Sequence, residues 1–248
     1  MSELFSDDLE DNSLLPIDFQ AELNEDQYAA VTSSPGPVLV LAGAGSGKTR
    51  TLTYRVAWLL SQGVPPEAIM LLTFTNKAAR EMLDRVQDLT GIPRYQLWGG
   101  TFHSIGQRTL RMFGHEVGLE KNYTILDAGE SDSLIGDVVR AMDKEFFKTK
   151  GNPKAKVLSS IISYARNTLG SIEDTLSKKY PEFTTLTDQV IGFSKAYSKK
   201  KLELQVTDYD DLLEYWLRLL NASTECATWC KDLFQHILVD EYQDTNAL

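Results

Sequence analysis

Two runs of residues, about 190 positions apart, carry side chains that can do chemistry together. The later one is His236-Ile237-Leu238-Val239-Asp240-Glu241-Tyr242-Gln243-Asp244-Thr245-Asn246. Ile237, Leu238 and Val239 read as a buried parallel strand. It delivers Asp240 and Glu241 to the carboxyl edge, where open α/β sheets bind ligands. An acid pair there suits a magnesium-nucleotide site: one carboxylate holds the metal through water and the other orients an attacking water. Taken alone, these residues also describe a helix N-cap after an ordinary strand. The earlier run decides between the two. Val38-Leu39-Val40-Leu41 reads as another buried strand, followed by Ala42-Gly43-Ala44-Gly45-Ser46-Gly47-Lys48-Thr49. Glycines here let successive backbone N–H groups curl around a β-phosphate, and the next helix points its positive N-terminus at the same anion. Lys48 would reach the β- and γ-phosphates and Thr49 would ligate Mg2+, as in a P-loop. Ala42 stands where the plain pattern has its first glycine. A glycine-rich strand-to-helix turn is the bland alternative, and the flanks on both sides weigh against it.

The elements that must hold these runs are legible in the patterning. Residues 24–33 read as a short helix capped by Asn24. Helical periodicity returns at 48–61 and stops near Gly63-Val64-Pro65-Pro66. Ile69 to Phe74 reads as a strand, and Asn76 caps a helix through about Leu89. Gln96 to Thr101 reads as a further strand, with a helix from Ser104. This alternation is the mark of an α/β fold, a parallel sheet flanked by helices. From about 112 to 206 the pattern turns helical, punctuated by Pro153 and Pro181. Helices at 208–221 and 225–235 then lead back to the strand at 236–240. The expected organisation is a discontinuous sheet domain, 20–111 and 207–248, with an all-helical subdomain, 112–206, inserted in it.

Hydrophobic residues make up 42% of the 248, enough for a real core. No apolar run approaches the roughly 20 residues needed to span a bilayer. The N-terminus lacks the basic and apolar regions of a secretory signal. Cys226 and Cys230, spaced i, i+4 on a helix, read as reduced core cysteines, which places the protein in the cytoplasm. The net charge of −10 seems wrong for a nucleic-acid protein until it is located. Glu3, Asp7, Asp8, Glu10, Asp11, Asp18, Glu22, Glu25 and Asp26 all precede Lys48, the first basic residue. The remainder holds 26 acids against 25 bases. Global acidity therefore does not exclude a local DNA-binding face, and residues 1–20 read as a solvated, mobile acidic tail.

With both runs placed, the chain resembles the UvrD/Rep/PcrA family of superfamily 1 DNA helicases over about 23–248. Leu23-Asn24-Glu25-Asp26-Gln27 is similar to the family's Q motif, in which Gln27 would read adenine. Ala42, Gly43, Ala44, Gly45, Ser46, Gly47, Lys48 and Thr49 match its P-loop, where alanine at the first position is usual. Leu72 to Ala79 is similar to motif Ia, Gly100 to Ser104 to motif Ib, and Thr207 to Leu213 to motif Id, with Tyr209 for phenylalanine. Asp240 to Asn246 is similar to motif II, with Tyr242 for phenylalanine. The resemblance implies a RecA-like P-loop lobe and an ATP- and Mg2+-dependent helicase moving 3′ to 5′ on DNA. It makes Glu241, Lys48 and Gln243 the catalytic residues, and Thr49 and Asp240 the metal residues. It also implies single-stranded DNA and the single-strand/duplex junction as substrates and, further along the family's chain, motif III, a C-terminal motor lobe, and arginines from motifs IV and VI that reach the γ-phosphate. This chain then corresponds to the first motor lobe, cut just after motif II and nearly inactive alone.

Phe74, Thr75, Asn76 and Lys77 follow one strand end, and Thr101, Phe102 and His103 the next. A helix N-terminus with a lysine suits a phosphate, and Phe74 offers a stacking face to an unpaired base. Core packing of Phe74 and a structural hydrogen bond for His103 are the bland alternatives. The clusters Lys148, Lys150, Lys154, Lys156 and Lys195, Lys199, Lys200, Lys201 suit duplex phosphates or, more commonly, a solvated helix face. Asp208 reads as a helix cap and not as part of a metal cluster with Asp210 and Asp211. An ATP- and single-stranded-DNA-binding module without motor activity is the alternative for the isolated chain. A small-molecule P-loop kinase leaves Gln243 to Asn246 and the motif Ia run unexplained.

Overall fold

A computed structural model describes residues 16–248 apart from Ala44, Ser223, Thr224, Asn246 and Leu248. The tail residues through Leu15, and with them most of the acidic cluster, lie outside the described residues. The chain runs through α1 (Phe19–Glu22), α2 (Glu25–Val31), α3 (Lys48–Ser61), β1 (Ile69–Thr73), α4 (Asn76–Thr90) and β2 (Trp98–Thr101). It continues with α5 (Phe102–Phe113), β3 (Thr124–Ile125), α6 (Ala128–Met142), α7 (Ala155–Asn167), α8 (Ile172–Lys179) and α9 (Thr187–Glu203). It closes with β4 (Val206–Thr207), α10 (Tyr209–Asn221), α11 (Glu225–Leu233) and β5 (His236–Val239). Two compact units result. One runs through Phe102 and takes up Lys231–Gln243; the other is His103–Cys230 with the residues from Asp244 onward. The divisions thus fall at 102/103, 230/231 and 243/244, and α10 together with α11 as far as Cys230, expected with the sheet, groups with the helices.

In the first unit the strand order is β2-β1-β5, all parallel. Central β1 is buried along its whole length. Val56, Leu59 and Leu60 of α3 and Met82 and Val86 of α4 share one core with Ile69, Leu71 and Leu238. Each such side chain removed from water contributes about 1.5–3 kcal/mol. Gly99 in β2 has no room for a side chain: a Cβ there would lie 2.5 Å from Leu83 Cδ2 of α4. A second cluster joins Phe19, Leu23, Val31, Tyr54 and Ala57, so the tail ends before Phe19 and not at residue 20. Asp18 caps α1 through the Ala21 N–H.

Four local expectations are corrected. Val38 to Leu41 forms no strand and is exposed, Leu41 at 86%. A strand is buried only between neighbours, and among the described residues nothing pairs with this segment. For the same reason β5 is an edge strand: Leu238 is buried, but Ile237 is 61% exposed. Thr75, not Asn76, caps α4, its hydroxyl accepting from the Ala78 N–H at 3.1 Å. Finally, α5 begins at Phe102 and not at Ser104, so Phe102 and His103 ride on its first turn.

The second unit is helical except for the two-residue parallel pair β3–β4, a departure from the all-helical expectation. Asp127 and Asp208 open α6 and α10 with reciprocal capping boxes. One core gathers Ile135, Val139, Leu158, Ile161 and Phe193, and another gathers Leu110, Phe113, Tyr123, Leu212 and Leu219. No helix among the described residues is long and apolar enough to cross a membrane.

Candidate functional site

The glycine-rich run folds as a turn into a helix. Gly45 and Gly47 adopt φ of +79° and +86°, a region that a Cβ disfavours. Ser46 closes the turn, its Oγ donating to Gly43 O at 2.7 Å. Gly47 stands at the N-cap of α3, so no side chain caps the helix and its first N–H groups point into the loop. Lys48 and Thr49 begin the helix, both half-buried. Gln27 braces the turn from α2. Its Nε2 donates to Ser46 O at 3.0 Å, while its Oε1 accepts the Asn24 N–H at 3.3 Å. A Cβ on Gly47 would lie 2.8 Å from Gln27 Nε2, which leaves glycine the residue that fits. Ala42 and Gly43 are exposed, and Ala44 lies outside the described residues.

β5 aims the acid pair as its sequence implies. The ladder to β1 extends one bond past the strand, the Asp240 N–H donating to Leu72 O at 2.9 Å. Asp240 is thereby fixed and 8% exposed. Burial and the neighbouring Glu241 charge push its carboxyl up, against the pull of the Glu241 N–H and of Lys48. Glu241 sits at φ +50°, strained backbone for a residue with a side chain. The Gln243 amide donates to Glu241 Oε2, and Asn246 lies outside the described residues. The donor set fits a magnesium nucleotide: a cradle only glycine fills, an uncapped helix N-terminus, one lysine, and oxygen donors on Thr49 and Asp240.

The residues at the other strand ends divide. Phe74 is 38% exposed, its ring tilted against Phe102 at 5.7 Å, so it is neither core nor fully displayed. Thr75 spends its hydroxyl on the cap. Asn76 is exposed, and the Lys77 side chain is 87% exposed with only a 3.8 Å approach to Glu81. Thr101 is buried at 8%, which removes it from any surface track. His103 belongs to the second unit, where its ring meets the exposed Tyr209 edge-on at 5.8 Å. Burial lowers its pKa and Asp210 opposes the shift.

The sequence reading missed a buried ionic cluster. Lys201, counted with a solvated run, is fully buried and reaches both Asp208 and Asp211 at 2.5 Å. Arg166 of α7 bridges Asp211 at 2.5 Å and Glu214 at 2.7 Å. Asp210 accepts from Asn167 Nδ2 at 2.8 Å. Asp208 and Asp211 are thus matched by buried cations, and the Asp211 N–H donating to Asp208 Oδ1 at 2.9 Å bears out the capping role read for Asp208. A lysine whose i+7 residue is a capping aspartate is a signal visible only once helix packing is known.

The sequence profile of the UvrD/REP helicase N-terminal domain matches residues 23–248. A protein of Staphylococcus epidermidis described as ATP-dependent DNA helicase PcrA is 38% identical over 227 residues, which are 90% of this chain and 30% of that protein. The Staphylococcus aureus (strain Mu50) protein of the same description is 38% identical over 226 residues, with the same shares. The chain thus spans about 30% of the length of the curated relatives it matches.

Proposed function

The chain belongs to the UvrD/REP helicase N-terminal domain family, and from that premise we propose that it is the ATP-binding part of an ATP-dependent 3′–5′ DNA helicase. The observations that carry the reading are the left-handed Gly45–Gly47 turn into the uncapped start of α3 and, in the same unit, the buried Asp240 and strained Glu241 at the end of β5. In this reading the sheet unit is the RecA-like motor lobe and the helical unit its inserted subdomain. The nucleotide supplies the phosphoryl group that passes to water. Gln27 reads adenine and braces the loop. Lys48 offsets phosphate charge. Thr49 and Asp240 hold Mg2+. Glu241 takes the proton of the attacking water, with its carboxylate held by Gln243. Phe74, Asn76, Lys77 and Phe102 of the sheet unit face single-stranded DNA near its junction with duplex, and the protein works in the cytoplasm. A C-terminal motor lobe supplies the arginines that complete the cleft; losing such a finger costs on the order of 10³–10⁵ in rate.

For the chain on its own a second reading is favoured: an ATP- and single-stranded-DNA-binding module that hydrolyses ATP very slowly. The exposed Val38 to Leu41 segment and the edge position of β5 support it, because among the described residues nothing pairs with the segment that enters the loop. Binding of a fluorescent ATP analogue tests the site. Lys48→Ala should remove most of the affinity; equal binding by that variant overturns the phosphate assignment. Steady-state hydrolysis with and without poly-dT separates motor from module. Oligo-dT binding tests the DNA edge. Phe74→Ala should weaken it by about 1–3 kcal/mol if a base stacks there. Lys77→Ala should flatten a salt slope of roughly −0.7 per charge.

A further inference from the structure

Among the described residues, outside the nucleotide loop, one cluster joins metal-ligating side chains from distant parts of the chain. His115 and Glu116 lie on the short 3-10 turn Gly114–Val117 that follows α5. Glu225 opens α11. An imidazole nitrogen and one oxygen from each carboxylate lie within 4.8 Å of one another. His115 and Glu225 are exposed and Glu116 is half-buried, so the cluster is open to solvent on one side. Glu116 is fixed in place: its Oε1 accepts the Cys226 N–H at 3.1 Å, across 110 positions of sequence. Among the described residues no ion pair takes up Glu116 or Glu225. The positive end of α11 accounts for a carboxylate near it. It does not account for an imidazole converging on the same point.

The geometry points to a binding site for a divalent transition-metal ion on His115, Glu116 and Glu225, separate from the magnesium-nucleotide site. One nitrogen and two carboxylate oxygens are a borderline donor set. Imidazole selects zinc-like ions, whereas magnesium and calcium take oxygen alone. Bonds of about 2.0–2.2 Å would draw the three donors together by small side-chain rotations, with water completing the shell. The ion would clip the turn after α5 to the start of α11. A clip that closes so long a stretch of chain restricts the unfolded state and should stabilise the helical unit. Cys226 lies beside Glu225, but it is buried, and its sulfur is not among the converging donors.

The test titrates Zn2+ alone into the chelator-stripped protein, with no nucleotide, and follows heat and thermal unfolding. One equivalent should bind, and Tm should rise by about 5 °C at a hundredfold excess over Kd. His115→Ala and Glu225→Gln, both surface changes, should each weaken binding at least about tenfold. Asp240→Asn should leave it intact, which separates this site from the nucleotide site. Substituting Co2+ should give an absorption spectrum without a thiolate charge-transfer band. The assignment is overturned if Zn2+ neither binds nor shifts Tm, if binding survives His115→Ala, or if it is lost in Cys230→Ser.

Discussion

Two acid groups that look alike in sequence meet opposite fates in the structure. Asp208, Asp210 and Asp211 head a helix; Asp240 and Glu241 end a strand. In the helical unit, Lys201 and Arg166 reach Asp208, Asp211 and Glu214, and Asn167 takes Asp210. Burial pushes the Asp208 carboxyl up, yet Lys201 and Arg166 outweigh it and hold the group below its usual range. In the sheet unit, Asp240 and Glu241 have no ion pair among the described residues, and Asp240 shifts up. Backbone strain sits at Glu241 and at none of the three aspartates. Acids matched by buried cations are spent on structure. Acids left unmatched, crowded and strained at a strand end keep their charge available for a ligand.

The largest effect should come from Lys201→Met. It strips the cation from two buried carboxylates and should cost about 3–5 kcal/mol. Denaturant unfolding measures the loss, and amide exchange should show it in α9 and α10 while β1 stays protected. A cost under about 1 kcal/mol would mean the cluster does not hold this unit together. Acid titration should then part Asp208 from Asp240 by sign. The lowered Asp208 contributes stability that is present above its unfolded value of 3.8 and is lost as pH falls through its lower folded value. Asp211, pushed up by burial and by Asp208, takes its proton earlier and at no loss. The raised Asp240 works the other way: its contribution is present below 3.8 and is lost as pH rises through its folded value. Exchange at the end of β5 should therefore slow, relative to the intrinsic rate, as pH falls from 7 toward 3.8. Over the same range α10 should keep its protection and yield only below about 3.8.

Smaller effects should follow in the sheet unit. Glu241→Gly relieves the left-handed backbone, offset by glycine's greater chain entropy, for a net gain on the order of 0.5–1 kcal/mol. A loss of stability would show that the Gln243 hydrogen bond outweighs the strain. Asp240→Asn, which removes a partly desolvated charge beside another, should change stability by about 0.5 kcal/mol or less, in the stabilising direction. It should also weaken Mg2+-dependent nucleotide binding. A stabilised protein that still binds Mg-nucleotide normally would remove Asp240 from the metal site.

Much of this protein was determined by sequence alone. Strand–helix alternation placed β1, α4, β2 and β5, because a parallel sheet buried on both faces needs continuous apolar runs. Asn24 and Asp208 marked helix starts through local capping, which neighbours three residues away complete. The glycine loop and the Asp240–Glu241 pair were legible for the same reason, since backbone curvature and strand direction are local. Only the tertiary structure decided what depends on distant partners. Val38 to Leu41 has the composition of a buried strand, but a strand is made by its neighbours, and among the described residues none pairs with it. Lys201 has the spacing of a solvated helix face, but α10 sets two aspartates against it and buries it. Thr101 ends a strand as expected, yet packing and not position decides that it faces inward. Periodicity states which residues share a face of an element; which face meets another element, and with what charge, is settled by contacts between residues far apart in the chain.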